Sequence, residues 1–351
     1  MTGRWFGPLL VALLLETSAA GAQQVRLKAN LQVPVSNPFY GVSLVRFKEE
    51  VERQSKGTLT IEIFDKGQLY ENDQVVDAVS SGAVDIGVTA AHNFVENAVA
   101  AAGVLDQPFL FNFAALMRTV ASPDSEMRKL IDEAILAETG ARILWWQSLG
   151  DTMFFSKGRD VADPLRLKGQ RIGVTGPTNA EILARCGGKP SVLPVEKFHD
   201  AIRDGTLDMA VAGLAALEGR GLWKVTDTIT RTAHVPLEFL LAINEKSWQS
   251  LSPNHRAVIA EAAQKIERET RDQLSESEAK AYAFANSKGI KVQDLTPDQV
   301  AEWRACSADM IAEYMDKNGN IARRLMEAYG RLRIDPCCTA GPNTAVAFTR
   351  R

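Results

Sequence analysis

The chain has 351 residues, of which 46% are hydrophobic and 24% are charged, a composition typical of globular proteins and long enough for two domains. Its 40 basic and 43 acidic residues give a net charge of −3 at pH 7. Because the basic residues are scattered among acidic ones, the sequence lacks the one-sided basic patch that nucleic-acid binding requires.

The first 22 residues have the pattern of a secretory signal peptide. Arg4 gives a short positive region, residues 5–15 form an apolar run, and residues 20–22 (AGA) form a small-residue cleavage site. A membrane anchor would need about 20 apolar residues, and Glu16 ends this run early. We therefore expect cleavage after Ala22 and a periplasmic protein that is not itself embedded in the membrane.

A weak internal repeat organises the rest of the chain. Residues 73–88 (DQVVDAVSSGAVDIGV) align without gaps on residues 196–211 (EKFHDAIRDGTLDMAV), with identical residues at five positions. Each copy predicts a helix that ends at glycine, followed by an apolar strand introduced by aspartate. Two such units can resemble one another by chance, but the β-rich segments at 58–67, 141–150 and 171–176 favour a true duplication of an α/β lobe.

Two α/β lobes would enclose a cleft between them. The loops that follow the carboxyl ends of the strands would line this cleft. In this chain those loops are residues 89–94 (TAAHNF) and 212–217 (AGLAAL).

The segment 252–289 predicts a long helix, with Ser252 as N-cap, Pro253 in the first turn and Gly289 at the end. A helix of about 36 residues would be roughly 54 Å long, which exceeds one small lobe. We expect it to span both lobes. Two shorter helices interrupted near residues 275–277 are the alternative, and residues 336–351 predict a loose tail.

The cysteines and histidines give no indication of catalysis. Cys186 precedes two glycines that could stabilise an oxyanion, but no histidine or aspartate is placed as its partner, so a structural role is preferred. The four histidines show no HxxxH or HExxH spacing. We predict no catalytic, metal or cofactor site. In an exported protein, a disulfide from Cys306 to Cys337 or Cys338 is a further hypothesis.

Four segments, in this order, resemble the TRAP-transporter extracytoplasmic solute receptors, the DctP-like family. They are residues 33–88, QPFLF at 107–111, SKGRDVADPLRLKGQRIGV at 156–174 and WQSLSPNHR at 248–256. The resemblance implies an α/β, two-lobed periplasmic-binding-protein-like clamshell with a long helix spanning both lobes. It also implies that the protein captures a small solute and delivers it to the membrane subunits of a TRAP permease.

The same resemblance implies the division of the chain into lobes. After the signal peptide, residues 23–150 and about 237–270 form lobe I. Residues 151–236 and about 271–335 form lobe II.

The family normally grips an organic acid with an arginine on a strand that reads KIRV, since a guanidinium makes a two-point bond to a carboxylate. In this chain that arginine is replaced by Gly173. Two further arginines of the sialic-acid branch match Thr152 and Asn93, and a pocket asparagine matches Ala212. We therefore expect an enlarged pocket at Gly173 and an atypical ligand that is weakly polar, aromatic or amine-bearing.

Two alternatives stay open. The first is an ordinary organic-acid receptor in which Arg171, or a downstream arginine such as Arg220 or Arg231, is the clamp. The second is a sensory receptor with the same cleft and no transport role.

The predicted ligand-binding positions are those that the resemblance places in the cleft. They are Asn37, His92, Asn93, Phe94, Trp146, Asp151, Thr152, Phe154, Gly173, Thr175, Ala212, Gly213, Leu214 and Glu238. Some have a second interpretation, since Trp146 could pack in a core and the carboxylates of Asp151 and Glu238 could form surface ion pairs.

Overall fold

The structure is a computed structural model that describes residues 24–111 and 114–332. The predicted signal peptide with its cleavage site, Cys337, Cys338 and the predicted tail all lie outside the described residues.

The described residues alternate between strands and helices along most of the chain. The strands are β1 (Val25–Asn30), β2 (Leu59–Phe64), β3 (Ile86–Ala90), β4 (Ala141–Ser156), β5 (Arg171–Val174), β6 (Lys189–Val192), β7 (Met209–Gly213), β8 (Thr228–Arg231), β9 (Pro236–Asn244) and β10 (Lys291–Asp294). The helices are α1 (Tyr40–Gln54), α2 (Val75–Ser81), α3 (His92–Glu96), α4 (Ala114–Val120), α5 (Glu126–Thr139), α6 (Pro177–Arg185), α7 (Phe198–Arg203), α8 (Ala216–Gly219), α9 (Glu245–Ser250), α10 (Pro253–Ser287), α11 (Pro297–Ala305) and α12 (Met310–Gly330).

The strands form a sheet in the order β2-β1-β3-β9-β4-β7-β5-β6, with β8 and β10 joined to it through β4. In lobe I, β1, β2 and β3 are parallel, and in lobe II, β5, β6 and β7 are parallel. The 16-residue strand β4 runs from lobe I, where it pairs with β9, into lobe II, where it pairs with β7 and β8. This two-lobed α/β architecture confirms the predicted fold class.

Four buried apolar clusters form the core, one on each face of each lobe's part of the sheet. On β9, Leu240 lies in one lobe I cluster and Leu241 in the other. On β4, Phe154 and Phe155 are divided in the same way between the two lobe II clusters. This alternation follows from the two-residue period of a strand that is covered by helices on both faces.

The two copies of the internal repeat occupy equivalent positions in the two lobes. The pair α2–β3 represents the first copy and α7–β7 the second. Asp85 accepts a hydrogen bond from the backbone N–H of Lys28 on β1 (2.7 Å), and Asp208 accepts one from that of Arg171 on β5 (2.8 Å). The repeated aspartate therefore holds the neighbouring parallel strand in register in each lobe.

Helix α10 is continuous over 35 residues and is about 52 Å long. The segment therefore forms one long helix and not the two shorter helices of the alternative. The Ser252 hydroxyl accepts from the backbone N–H of His255 at its start, as predicted. Its first half packs on lobe I through Ile259, and its second half packs on lobe II through Ala285. In lobe I, Glu267 of α10 also forms a buried ion pair with Arg128.

Helix α12 packs on lobe I, whereas the sequence-based division of the chain assigned its residues to lobe II. Leu325 lies in a lobe I cluster, and the hydroxyls of Tyr314 and Tyr329 donate to the backbone carbonyls of Ala100 and Leu110 (3.0 Å each). The chain therefore returns to lobe I after α11.

The cysteine hypothesis is corrected by the structure. Cys306, which follows α11, forms a disulfide with Cys186, which follows α6, with a Cα–Cα distance of 5.1 Å. Both residues belong to one lobe II cluster. The sequence had left Cys186 as an isolated structural thiol, because nothing local brings together residues 120 positions apart.

Candidate functional site

The loops after β3 and β5 meet at the junction of the two lobes. His92, at the start of α3, lies so close to Gly176 that a Cβ at position 176 would be 3.2 Å from the imidazole Cδ2. Gly176 has a φ of 78°, a backbone conformation that favours glycine. The close approach of His92 and this positive φ therefore both favour glycine at position 176. Burial lowers the pKa of His92 to about 4, which makes it a neutral group at the junction.

A network of amides and hydroxyls covers the carboxyl ends of β1 and β3 in lobe I. Asn93 donates through Nδ2 to the Asn72 carbonyl (2.7 Å) and to the Thr89 hydroxyl (2.6 Å). Gln32 donates through Nε2 to Asn72 Oδ1 (2.7 Å) and to the Val88 carbonyl (2.6 Å). The network is neutral, and only Asn93 of its side chains was among the predicted ligand-binding residues.

Thr89 lies in the predicted cleft-lining loop 89–94, whereas Gln32 and Asn72 were not predicted. Gln32 follows the end of β1, and Thr89 is the next-to-last residue of β3. Polar residues that follow apolar parallel strands are the signal that points to both positions. Asn72 precedes a helix, and only the fold brings it to the same place.

A second group of side chains joins the lobes on the other face of the crossing strands. Tyr40, at the start of α1, stacks on Phe239 of β9 with ring centroids 4.6 Å apart. The Arg220 guanidinium, from the loop after α8 in lobe II, forms an ion pair with Glu196 (2.6 Å), and its positive charge acts on the pKa of the Tyr40 hydroxyl. Burial raises the pKa of Tyr40 to about 12, so its hydroxyl stays protonated.

Asp106 lies in the lobe I loop that contains the QPFLF motif. The side chain of Thr178, in the first turn of α6, partly offsets the effect of burial on the pKa of this carboxyl group. Asp106 is buried, and its Oδ2 has no hydrogen-bond partner among the described residues. Burial raises the pKa of Asp106 to about 7.

The crossing strands carry two further carboxyl groups, of which Glu238 is buried and Asp151 is half-buried. Glu238 on β9 has neither carboxylate oxygen hydrogen-bonded within the described chain, and burial raises its pKa to about 8. Asp151 on β4 lies next to a bulge opposite Pro236. Burial, together with the negative charge of Glu278 on α10, raises the pKa of Asp151 to about 7. The lobe junction therefore carries several carboxyl groups of raised pKa, together with the Arg220 guanidinium.

The structure corrects the expectation that Gly173 enlarges the pocket. A Cβ at this position would lie 2.5 Å from Leu207 Cδ1 and 3.0 Å from Phe198 Cε1. Both neighbours are buried in a lobe II cluster, so the space that a side chain at 173 would enter is already filled.

The alternative clamp residues all have partners. Arg171 lies at the start of β5 and makes a two-point bond to Asp208, with Nε–Oδ2 and Nη2–Oδ1 distances of 3.1 and 2.7 Å. Arg231 forms an ion pair with Asp294 (2.9 Å) on the neighbouring strand β10 and lies over the Tyr282 ring. Of these arginines, Arg220 is the one whose charge acts on Tyr40 of lobe I.

Several predicted ligand-binding residues lie in the core. Trp146 is 2% exposed, and its Nε1 donates to Asp132 (2.8 Å), so the packing interpretation applies to it. The other core residues of the predicted set are Phe94, Phe154, Ala212 and Leu214.

The remaining predicted residues lie at turns or at the junction. Asn37 accepts a hydrogen bond from the backbone N–H of Phe39 (3.0 Å) and shapes the entry to α1. Thr152 donates to the Val235 carbonyl (2.9 Å) where the two strands cross. Thr175 follows β5 and Gly213 ends β7, and a Cβ at 213 would touch Leu237 of β9. Their contact with a ligand stays a prediction.

The described residues contain no group of histidine, cysteine, aspartate and glutamate side chains that could hold a metal ion. Among them there is also no helix with the length and apolar character needed to cross a bilayer.

Two α/β lobes that meet at their strand ends and are joined by crossing strands and a long helix define the class of extracytoplasmic solute-binding receptors. Residues 31–318 match the family described as bacterial extracellular solute-binding protein, family 7 (DctP), and the chain belongs to that family. The resemblance found in the sequence is thereby confirmed. The family consists of receptors, in agreement with the predicted absence of catalysis.

Individual relatives are distant but nearly collinear with this chain. A solute-binding protein of Roseobacter denitrificans is 24% identical over 79% of this chain and 83% of its own. A TRAP periplasmic solute-binding protein from the same species, solved with β-D-glucuronate, has a TM-score of 0.81 at 24% identity and covers 88% of this chain and 100% of its own. A Bordetella pertussis extracytoplasmic solute receptor that binds pyroglutamic acid has a TM-score of 0.81 at 19% identity, with the same coverage. At these identities the structural likeness establishes the fold.

Proposed function

We propose that this receptor captures a small organic solute between its lobes without an arginine–carboxylate clamp, and delivers it to the membrane subunits of a TRAP permease. The observation that carries the proposal is the chemistry at the positions that match the family's arginines. Gly173 is enclosed by Phe198 and Leu207, and Thr152 and Asn93 are neutral side chains held by internal hydrogen bonds.

The energetic consequence concerns acids in particular. A guanidinium–carboxylate bond in a partly desolvated cleft is a charge-assisted bond worth about 1.5–3 kcal/mol. An acidic solute would lose that contribution here and would also approach Asp106, Asp151 and Glu238. A neutral or amine-bearing solute does not depend on a guanidinium–carboxylate bond, and these carboxyl groups would not repel it.

The test is a thermal-shift screen with solutes that differ mainly in charge. One triplet is D-glucuronate, D-glucose and D-glucosamine, and a second is L-pyroglutamate, L-pyroglutamamide and L-prolinamide. A bound solute stabilises the protein by RT ln(1 + [L]/Kd), about 2.7 kcal/mol at 100 Kd. We expect the neutral or amine members to raise the Tm and the acids to leave it unchanged.

Preferential stabilisation by glucuronate or pyroglutamate would contradict the proposal. In that case Arg220→Ala and Arg171→Ala would identify the clamp, because only a clamp residue abolishes the effect of the acid. Delivery is tested separately by uptake of the bound solute in cells that carry the receptor with its permease subunits. Binding without receptor-dependent uptake would favour the sensory alternative.

A further inference from the structure

The QPFLF motif is divided between the cores of the two lobes. Leu110 and Phe111 lie in a lobe I cluster, whereas Phe109 lies in the lobe II cluster that contains Phe154 and Trp303. Phe109 is 6% exposed. A loop of lobe I therefore places one aromatic side chain in the core of lobe II.

The backbone of Phe109 makes the same connection as its side chain. Its N–H donates to the carbonyl of His234 (2.7 Å), in the lobe II segment between β8 and β9. The centroids of the Phe109 and His234 rings are 6.4 Å apart, and the Arg304 guanidinium of α11 lies 5.9 Å from the centre of the Phe109 ring. A hydrogen bond and side-chain packing thus hold the same residue of lobe I on lobe II.

The backbone conformation of Phe109 is unusual for a residue with a side chain. Its φ of 56° lies in the left-handed region, which residues other than glycine rarely adopt. Such a conformation persists only where the surrounding structure determines it, and strained residues of this kind cluster at functional sites. It occurs here at the residue where the chain changes from packing in lobe II to packing in lobe I.

Both ends of this connection are fixed within their own lobes. On the lobe I side, the Leu110 carbonyl accepts a hydrogen bond from the Tyr329 hydroxyl of α12 (3.0 Å). On the lobe II side, His234 is fully buried, and its Nδ1 lies 2.6 Å from the Thr232 hydroxyl. A force on one lobe is therefore transmitted to the other through Phe109.

The contact lies beside the point where the strands cross between the lobes. The residue after His234 is Val235, whose carbonyl accepts from the backbone N–H of Thr152 on β4 (2.9 Å). Strand β4 passes from lobe I into lobe II there, and β9 begins at the next residue, Pro236. When two rigid bodies rotate about a hinge, points close to the hinge move least, so a contact there can persist in both the open and the closed orientation.

We infer that Phe109 is a pivot, a positioning residue that fixes the axis about which the lobes close, with its ring in the lobe II core and its N–H on the His234 carbonyl. Strands β4 and β9 and helix α10 link the lobes covalently, and Phe109 adds a non-covalent link that restricts twisting and sliding of one lobe past the other. Withdrawing the ring would expose a buried aromatic side chain and leave a void in lobe II, so the contact is kept when the lobes open. The inference holds for any solute.

The first test is hydrogen exchange at single amides of the unaltered mature protein without solute, by mass spectrometry with electron-transfer fragmentation. The Thr152 amide is the reference, because it belongs to a strand that connects the lobes covalently. We expect the protection factor of the Phe109 amide to lie within about tenfold of that of Thr152, since a pivot contact opens only together with the crossing strands. A lower protection factor at Phe109 would show a contact that breaks when the lobes separate, and the inference would be wrong.

The second test compares Phe109→Ala with Phe111→Ala. Phe111 is the matched control, because it belongs to the same motif and is also buried, but packs within lobe I. Both variants should lower the Tm. Only Phe109→Ala should alter the motion of the lobes, and we expect it to widen the distribution of interlobe distances about twofold or more while Phe111→Ala leaves the width unchanged.

The distances are measured by pulsed electron paramagnetic resonance, with spin labels on opposite edges of the sheet. Glu62→Cys on β2 and Lys189→Cys on β6 supply the label positions, since both side chains are exposed. Cys337 and Cys338 are replaced by serine in every protein compared.

Equal widths in the two variants would contradict the inference, because loss of packing alone would then account for both. If Phe109→Ala does not fold, the exchange measurement on the unaltered protein decides by itself. Neither measurement needs a solute, so the proposed function and its ligand class are tested independently of the pivot.

Discussion

The side chains packed around Gly173 determine which residues this position can accommodate. Leu207 and Phe198 fill the space beyond the Cα of Gly173. A side chain at this position therefore has room only if these neighbours move.

We expect Gly173→Ala to destabilise the protein by about 1–3 kcal/mol, because the added methyl overpacks a buried site. Gly219→Ala is the matched control, since a Cβ at 219 meets nothing within 4 Å. Urea denaturation of both variants measures the difference. Equal stability of the two variants would show that the Phe198 side chain moves aside freely.

Glu238 predicts a dependence of stability on pH. Burial raises its pKa from the ordinary value of 4.5 to about 8, so the folded state binds its proton more tightly than the unfolded chain does. Between these two values the free energy of unfolding should fall as the pH rises. The charged groups around it are Asp151 on β4 and Glu267 and Arg271 on α10.

The measurement is the free energy of unfolding at pH 5, 7 and 9 for the unaltered protein and for Glu238→Gln. We expect a smaller loss between pH 5 and 9 in the variant, because an amide cannot gain the charge. Glu276→Gln, at an exposed ion pair with Lys280, serves as control and should keep the original slope. Identical slopes in all three proteins would show that Glu238 is hydrated.

At the scale of elements, the disulfide fixes one helix of lobe II to another. Cys186 ends α6, whose N-terminal Gly176 meets His92, and Cys306 ends α11, whose Trp303 packs on Phe154. The bridge closes a loop of 120 residues that contains most of lobe II. It therefore constrains the unfolded chain strongly.

We expect Cys306→Ser to lower the free energy of unfolding by about 2–5 kcal/mol. A reducing agent should destabilise the unaltered protein to a similar extent and have little further effect on the variant. Peptide mapping without reduction should recover the peptides of Cys186 and Cys306 linked together. Recovery of Cys186 as a free thiol from the exported protein would contradict the assigned pairing.

For the whole molecule, the contacts between the lobes describe a closed arrangement. His92 meets Gly176, and the backbone N–H of Phe109 donates to the His234 carbonyl (2.7 Å). Each pair joins a loop or helix start of lobe I to one of lobe II, while β4, β9 and α10 connect the lobes covalently. Rigid-body closure around a solute is the motion that this connectivity favours.

We expect the radius of gyration from small-angle scattering to decrease when the solute with the largest effect on the Tm is added. Tyr40→Phe removes the hydroxyl on which the Arg220 charge acts from the other lobe, and should weaken solute binding about two- to tenfold, the equivalent of roughly 0.5–1.5 kcal/mol. Thr60→Val, at an exposed edge strand of lobe I, should leave the affinity unchanged. An unchanged radius at saturating solute would contradict closure.

The sequence by itself determined the features that depend on nearby residues. The helix–glycine–strand repeat, the strand at Leu59–Phe64 and the start of the long helix at Pro253 were all predictable, because capping residues and apolar periodicity act within a few turns. Whether that helix is interrupted near residues 275–277 stayed open. Colinear segments also indicated the family, and hence the two lobes.

Only the tertiary structure decided what long-range packing controls. The pairing of Cys186 with Cys306, the return of α12 to lobe I and the amide network around Asn72 each join segments that are far apart in the chain. The packing around Gly173 is a further example. The strand β5 predicts which way a side chain at 173 would point, but only the tertiary structure shows that Phe198 fills that space. Local patterns set which elements form, whereas the close packing of distant side chains sets which groups meet and what they can bind.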